Sequence, residues 1–584
     1  MPGEWMDAAV ESKEVAEQIY QNAVADGKSA AQVAEEAPRR GMAMFKVPIF
    51  VRASSLVQAE LTYQEVLERR HGKFRHRLSL RPGEQAPGVS VHADIFDPQQ
   101  ISSLNAFYVE DGSDARSTLT AVRDSGKSFR VDSEWPWADG ELFLEFDTGH
   151  AFDAGLVLQQ GSYFAHFLSP ELPETYMALP KAVHFVVDIS GSMSGEKETQ
   201  ARAAMVAILG QLNSQDIFDV LLFDGEQEVW QGDLVEASST NVKEAQAWVH
   251  EQFHSRGSTD IHEALQVSLG LLQGISSEYV KMSIFLSDGE ASAGITDPQE
   301  IRKAARFMES SACLHSLGFG FDLNFELLES LSWENCGLAR RIYVESDAAD
   351  QLQNFFSELS QPLLRDISWQ WPVEVEAVSS AQVNPLLYHQ GSEICSVGRL
   401  ASGSLGMMAG LTISAVANLG AQQAISLAPA EPLLLEAGRL LAVDVFPEQF
   451  AERLWAHLRI KELLRRARRI SEATALEAEA LALSLNYSLV TPLTSLIVVE
   501  PEASPTVPPV QGGAASPGPP APPAPPPLAA PAPPTRPPSS PQTSDTGSSS
   551  SARSHRQDRS FAEASSFFAR PTCILPIMLA SHLL

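Results

Sequence analysis

The sequence predicts a multidomain protein built around an α/β doubly wound domain with a parallel sheet, and three observations support this. Its 584 residues are enough for about three to four folded units. Buried strands alternate with amphipathic helices over residues 181–365, which is the pattern of βαβ crossovers. Eighteen of the 38 prolines fall within residues 501–550, so a tail without a core of its own is expected after the folded body.

The remaining elements follow from periodicity. Alternating runs such as SLVQAELTY, KFRHRLSL and ELFLEFDT predict a β-rich domain over residues 1–180. In the α/β domain the predicted strands are VHFVVD, DVLLF, MSIFLS, CLHSLGF and RRIYV, with helices between them. Residues 366–500 begin with strand-like alternation and end in helical stretches, so a mixed β and helical region is expected there. Residues 501–584 are predicted to be a disordered, proline-rich tail.

Composition excludes several classes of protein. The formal net charge of −31 argues against a nucleic-acid-binding protein, because neutralising phosphates needs a basic surface. Four cysteines are too few and too scattered for a disulfide scaffold or a zinc cluster. The acidic start lacks the basic and apolar segments of a secretory signal. The longest uncharged stretch outside the tail, 400–430, contains Gly, Gln and Asn, which indicates strands and no membrane span.

The most informative residues follow the first buried strand of the α/β domain, in VVDISGSMSG. Asp188, Ser190 and Ser192 alternate on a turn that leads into a helix, and oxygen ligands of this kind suit Mg²⁺ or Mn²⁺. Thr259 in SRGSTDIHEAL and Asp288 in MSIFLSDGE lie on later loops. Because loops at the carboxyl ends of parallel strands converge, we predict a metal site built from these five residues.

The same residue types also occur in simpler roles. A DxSxS motif arises by chance, and Ser192 suits a helix N-cap. A strand-end Asp also serves as a phosphoaspartate nucleophile, but such enzymes need a second carboxylate two residues later, where this chain has Ser190. No His or Cys is placed to support a nucleophile. We therefore predict a binding site rather than an enzyme, with an open metal position that takes a carboxylate from an acidic protein ligand.

This order of motifs resembles a von Willebrand factor type A domain with its metal-ion-dependent adhesion site. Further segments resemble the inter-alpha-trypsin inhibitor heavy chain family, among them GLARRIYVESDAADQLQNFFSEL, ERLWAHLRIKELL and LSLNYSLVTPLTSLIVVEPE. Upstream, ELTYQEVLERRHGKF and IFDPQQIS resemble the β-rich VIT domain that precedes the A domain in that family. The resemblance covers roughly residues 8–500, and the chain is identified as a member of this family.

The resemblance implies a secreted protein of plasma or matrix that carries hyaluronan and accompanies a Kunitz-type protease inhibitor chain. In the family the two chains are joined through a chondroitin sulfate ester at the Asp of an Asp-Pro-His site. This sequence has no such site, so the ester is not expected here. The resemblance to the VIT domain begins within that domain, so we expect an N-terminally truncated domain. An intracellular scaffold of VIT and A domains is the alternative that the missing signal peptide favours.

Weaker signals lie outside the metal motif. Two basic clusters are candidates for binding a polysaccharide, with a solvated strand face and a helix C-terminus as the plainer alternatives. Asn486, in NYS, is a candidate glycosylation site. The basic residues are Arg69, Arg70, Lys73, Arg75 and Arg77 in the first cluster and Lys461, Arg465, Arg466, Arg468 and Arg469 in the second.

Overall fold

The structure is a computed structural model, and it describes most of the chain up to residue 500. The described residues are 6–39, 42–52, 57–63, 66–80, 89–96, 100–110, 116–123, 128–134, 140–149, 154–288, 290–307, 311–320, 323–343, 348–380, 386–401, 410–428, 433–434, 449–467, 473–500, 565–569 and 578–583. In these ranges no helix has the length and apolar character needed to cross a membrane.

The first 180 residues are rich in β-strands, as the alternating pattern predicts. They contain one described helix, α1 (Lys13–Ala25), which Ser12 caps by accepting a hydrogen bond from the Val15 amide. The strands are β1 (Ala9–Ser12), β2 (Ala30–Arg39), β3 (Met42–Lys46), β4 (Ile49–Phe50), β5 (Val57–Tyr63), β6 (Arg69–Arg70), β7 (Lys73–Leu80), β8 (Val89–Phe96), β9 (Ile101–Glu110), β10 (Arg116–Thr118), β11 (Ala121–Arg123), β12 (Ser128–Glu134), β13 (Gly140–Thr148), β14 (Leu156–Gln160) and β15 (Tyr163–Leu168).

The α/β region contains every strand and helix that the sequence predicts for it, together with two short extra strands. Its strands are β16 (Lys181–Asp188), β17 (Ile217–Phe223), β18 (Gln227–Val229), β19 (Val235–Glu236), β20 (Val280–Ser287), β21 (Ala312–Phe319) and β22 (Ala339–Ile342). Its helices are α2 (Glu196–Leu209), α3 (Ser239–Gln252), α4 (Ile261–Gln273), α5 (Pro298–Ala304), α6 (Phe325–Glu334) and α7 (Ala348–Leu359).

These strands form one sheet in the order β18-β17-β16-β20-β21-β22. Five strands are parallel to one another, namely β17, β16, β20, β21 and β22. Strands β18 and β19 pair antiparallel with β17, so the sheet is mixed, whereas the sequence predicts a purely parallel one. The physical reason is the short link between β17 and β18, which permits a hairpin but is too short for a parallel crossover.

Helices cover both faces of this sheet, which explains why all eight residues of β16 are buried. Val183, Phe185 and Val187 pack in a core with α2, α3 and α7, whereas Ala182 and Val186 face α4, α5 and α6. The polar edge at the carboxyl ends of the strands is therefore held by two apolar layers.

One disulfide, between Cys313 and Cys336, joins β21 to the turn that follows α6. The sequence predicts no disulfide scaffold, and a single bridge is compatible with that. The pairing itself was missed because the two cysteines are 23 residues apart and become neighbours only when α6 folds back along β21.

Residues 366–500 form the expected mixture of strands and helices. The elements from the end of the α/β region onward are β23 (Pro362–Gln370), β24 (Val375–Ser380), β25 (Tyr388–His389), β26 (Ile394–Leu400), β27 (Thr412–Asn418), β28 (Gln422–Leu427), β29 (Leu433–Leu434), α8 (Phe450–Ala467), α9 (Ala473–Asn486) and β30 (Thr494–Val499).

Strand pairing crosses the predicted boundary at residue 180. Strand β30 lies between β1 and β2 and is antiparallel to both, and β15 pairs with β26. Two segments that the sequence places in the first domain, around β1–β4 and β14–β15, therefore share sheets with the third region. Local periodicity identifies strands but not their partners, so it cannot reveal such long-range pairing.

Most of the predicted disordered tail lies outside the described residues. Two short strands are described there, β31 (Ser565–Ala569) and β32 (Met578–Leu583). Strand β32 lies between β5 and β8. These residues differ from the predicted disorder because the proline-rich composition ends before them and leaves short apolar runs that suit strands.

Candidate metal centre at the carboxyl edge of the sheet

Asp188 is the last residue of the central strand β16, and its side chain is fully buried. One carboxylate oxygen, Oδ1, accepts a hydrogen bond from the Ser190 amide at 2.8 Å, and Oδ2 accepts one from the Ser287 hydroxyl at 2.6 Å. Burial raises the pKa of the Asp188 carboxyl to about 6, although hydrogen bonds from Ser190 and Ser287 oppose this. A bound cation would stabilise the ionised form.

The two predicted serines lie on the turn that follows Asp188. Residues Gly191–Met193 form a single 3₁₀ turn, which brings the Ser190 and Ser192 hydroxyl oxygens to 3.1 Å from each other. Ser190 is buried, whereas Ser192 is exposed. The turn therefore presents two adjacent hydroxyls next to a buried carboxylate, with one of them open to solvent.

Asp288 follows the neighbouring strand β20 and is only 2% exposed. Its Oδ2 lies 3.5 Å from the Lys197 ammonium nitrogen, while its Oδ1 is buried without a hydrogen-bond partner. Leaving a buried carboxylate oxygen unpaired is costly, so such an atom points to a missing ligand. The structure thus brings both predicted carboxylates to the same edge, one at the end of each strand.

Thr259 is buried on the loop before α4, and backbone hydrogen bonds connect this loop to the same edge of the sheet. Its carbonyl oxygen accepts hydrogen bonds from the Ser292 and Ala293 amides, beyond Asp288, at 2.9 and 3.1 Å. The next amide, that of Asp260, donates to the Asp224 carbonyl oxygen after β17. The loop that carries Thr259 is therefore fixed between two other edge loops.

Gly257 allows the loops to approach this closely. Its φ is +68°, and a Cβ there would lie 2.8 Å from the Asp224 carboxylate. Its carbonyl oxygen accepts a hydrogen bond from the Gly191 amide at 3.3 Å, and the adjacent Arg256 amide donates to the Ile189 carbonyl oxygen at 2.7 Å. A larger residue at position 257 would separate the Thr259 loop from the Asp188 turn.

The residues present suit a hard divalent cation. In the described part of the chain no three His, Cys, Asp or Glu side chains form a metal cluster, so a site here has to combine carboxylates with hydroxyls. The edge offers that combination, with two buried carboxylates, two serine hydroxyls and a threonine on a fixed loop. Such an all-oxygen set favours Mg²⁺ or Mn²⁺ over softer ions.

Three contributors to this edge were missed by sequence reasoning. Ser287 donates to Asp188, Lys197 pairs with Asp288, and Arg256 pairs with Asp224 at 3.1 Å. A signal existed for Lys197 only. It stands in the first turn of α2, where the helix dipole disfavours a cation, so a compensating anion was to be expected nearby.

The first basic cluster is largely paired within its own region. Arg69 donates two hydrogen bonds to the Asp147 carboxylate, at 2.9 and 3.1 Å, and its side chain is 9% exposed. The other three arginines pair with glutamates, while Lys73 is exposed. The remaining pairs are Arg70 with Glu68, Arg75 with Glu145 and Arg77 with Glu141.

The second basic cluster lies on α8 and continues beyond it. Lys461 is exposed, Arg465 is partly buried, and Arg466 lies 3.6 Å from Glu462. Arg468 and Arg469 lie outside the described residues. Both clusters stay predictions as polysaccharide sites.

Asn486 is the last residue of α9 and is exposed. Its accessible position is compatible with glycosylation, which stays a prediction.

Comparison with known proteins agrees with this architecture. A family model described as von Willebrand factor type A domain matches residues 181–340. Inter-alpha-trypsin inhibitor heavy chain H4 of Sus scrofa is 34% identical over 515 residues, which is 84% of this chain and 54% of that protein. Heavy chain H3 of Bos taurus is 34% identical over 519 residues, 84% of this chain and 56% of that protein. The chain belongs to the inter-alpha-trypsin inhibitor heavy chain family.

This member of the heavy chain family spans about half the length of the curated relatives that it matches. Its α/β region is a von Willebrand factor type A domain, in agreement with the matching family model. Among solved structures, von Willebrand factor type A from Catenulispora acidiphila aligns with a TM-score of 0.40 and 16% identity, covering 59% of this chain and 89% of that chain.

Proposed function

We propose that this chain is an extracellular, non-enzymatic heavy chain whose A domain binds a divalent cation, Mg²⁺ or Mn²⁺, and through it an acidic protein ligand. The observation that carries the proposal is the edge cluster, in which Asp188 and Asp288 converge and the Asp288 Oδ1 atom has no partner. Ser190, Ser192 and Thr259 complete the ligand set. The ion supplies positive charge at an open position where a ligand carboxylate binds.

Family membership supports the rest of the proposal. Following its relatives, the chain carries hyaluronan, stabilises matrix and accompanies a Kunitz-type protease inhibitor chain. The β-rich region before the A domain takes the place of the VIT domain. The two basic clusters are the candidate surfaces for binding the polysaccharide. Asn486 is the candidate residue for attachment of a glycan.

The disulfide supports an extracellular location over an intracellular scaffold. Cys313 and Cys336 are bonded, and such bridges persist in oxidising compartments but are rare in the cytosol. Alkylation of the chain from cells after denaturation without reduction, followed by mass spectrometry, should leave both cysteines unmodified, because a disulfide does not react with the reagent. Alkylation of both would instead favour the intracellular scaffold.

The metal site is tested by calorimetry on the full chain with Mg²⁺ and Mn²⁺. The Asp188→Asn variant keeps the side-chain shape but removes the charge, so the heat of binding should disappear. Asp233→Asn is the matched control, because Asp233 is exposed and lies on a loop outside the cluster. Equal heats for the wild type and Asp188→Asn would refute the assignment.

A further inference from the structure

Lys197 is a cation in the first turn of α2, where the helix dipole disfavours positive charge, and its side chain reaches the carboxyl edge of the sheet. It is the second residue of α2, near the helix N-terminus, where backbone amides already carry partial positive charge. Its ammonium nitrogen nonetheless turns back over the Asp188 turn and donates a hydrogen bond to the Ser192 carbonyl oxygen at 3.2 Å. The side chain is 22% exposed, so the ammonium is partly withdrawn from water.

The ammonium sits against the carboxylate that the metal needs. Asp288 Oδ2 lies 3.5 Å from the Lys197 nitrogen, and Lys197 is the only cation that the described ion pairs place beside Asp288. Arg256, another cation at this edge, is paired with both Asp224 and Glu228. The charge of Asp288 is therefore balanced by one residue of the chain, although its Oδ1 atom is left without a partner.

We propose that Lys197 is an internal competitor for the divalent cation: it neutralises Asp288 in the metal-free chain and leaves that carboxylate when the ion binds. The inference rests on the proposed metal site and adds the residue that sets its affinity. A divalent ion and an ammonium cannot share one buried carboxylate without strong repulsion. The flexible stem of lysine lets its charge move into water, which an arginine fixed by several hydrogen bonds would do less readily.

This arrangement has two consequences. The metal-free edge keeps a paired Asp288, so the domain does not depend on the ion to fold. Metal binding has to break the Lys197–Asp288 pair, so the affinity is lower than the oxygen ligands alone would give.

The test compares the full-length wild type with Lys197→Met, which keeps most of the apolar stem and removes the charge. Calorimetry with Mn²⁺ should give a Kd about tenfold lower for this variant, because no ion pair then opposes binding. Lys243→Met is the matched control and should bind Mn²⁺ like the wild type, because Lys243 lies on α3, outside the proposed metal site. Lys197→Gln repeats the test in case the methionine disturbs folding.

The outcomes separate this inference from the proposed function. If the wild type binds Mn²⁺ and both Lys197 variants bind equally or more weakly, the competition is refuted and the metal site stands. Binding by the Lys197 variants alone supports a strong competitor. No binding by any chain refutes the metal site and the competition together.

A metal-free readout supplements the titration. In EDTA, melting of Lys197→Met, Asp288→Asn and the double variant should be non-additive, because the two residues form one pair. Additive shifts would refute the pair itself.

Discussion

The carboxyl edge of the A-domain sheet and strand β7 both collect charged side chains, but their charges are balanced differently. At the edge, Asp188 and Asp288 come from the ends of two parallel strands, and Asp288 keeps an unpartnered oxygen. On β7, Arg75 and Arg77 face the neighbouring strand β13, whose Glu145 and Glu141 pair with them. Like charges along a strand are thus neutralised within the sheet, whereas the converging loops leave one oxygen of the described Asp288 carboxylate without a hydrogen-bond partner.

The largest expected effect is a loss of folding stability at acidic pH. It sharpens the contrast because it arises in the buried core of the A domain and not at the carboxyl edge. His184 and His315 are buried in the parallel sheet, and burial lowers the pKa of each to about 3. Below the unfolded pKa of about 6.5, the unfolded chain takes up protons that the folded domain excludes. Each of these two histidines should therefore lower stability by about 1.4 kcal/mol per pH unit below about pH 6.5. Burial also lowers the pKa of three further histidines, which adds to this loss, and raises the pKa of two carboxyls to about 6, which opposes it. These groups are His166, His389 and His457, and Asp188 and Asp219.

Urea denaturation of the full chain in EDTA at about pH 7 and about pH 5, on either side of the unfolded histidine pKa, measures this loss. The pH dependence should become shallower by about 1.4 kcal/mol per pH unit in His184→Gln, where one excluded protonation site is removed. An equal pH dependence for His184→Gln and the wild type would show that His184 is not excluded from protonation.

A smaller loss of stability is expected when arginines on strand β7 are replaced. Measuring it tests directly whether the charges on this strand are neutralised within the sheet. The Arg77 and Glu141 side chains are 14% and 15% exposed, so Arg77→Ala leaves a largely buried glutamate unpaired and should cost about 2 kcal/mol. Arg75→Ala should cost a similar amount, because it leaves Glu145, whose side chain is 9% exposed, without its partner.

Arg399→Ala is the matched control for an exposed pair. The side chains of Arg399 and its partner Glu376 are 49% and 42% exposed, so the loss should stay below about 1 kcal/mol. Denaturant midpoints measure all three variants.

If Arg75 and Arg77 are instead available to a ligand, their removal would barely affect stability and would weaken binding to hyaluronan. That result would restore the polysaccharide assignment of β7.

Sequence reasoning succeeds where the relevant information is local. The alternation of buried strands and helices locates the sheet, and strand-end positions place Asp188, Ser190, Ser192 and Asp288 at a common edge. It fails where partners are distant in the chain. Arg77 and Glu141 are 64 residues apart, and nothing in KFRHRLSL indicates that β13 lies beside it.

The same limit accounts for the strand pairing between regions. The insertion of β30 between β1 and β2 joins the two ends of the folded body, and no local pattern encodes this pairing. Lys197 illustrates an intermediate case, because its position in the first turn of α2 favours a nearby anion but does not identify Asp288.

The central claim is that the A-domain edge holds a divalent cation, and anomalous scattering tests it most directly. Crystals of the full chain grown with Mn²⁺ should give one strong anomalous peak among Asp188, Ser190, Ser192, Thr259 and Asp288. The Lys197 ammonium should have moved away from Asp288. A map with Mn²⁺ elsewhere on the chain, and Lys197 still paired with Asp288, would contradict the account.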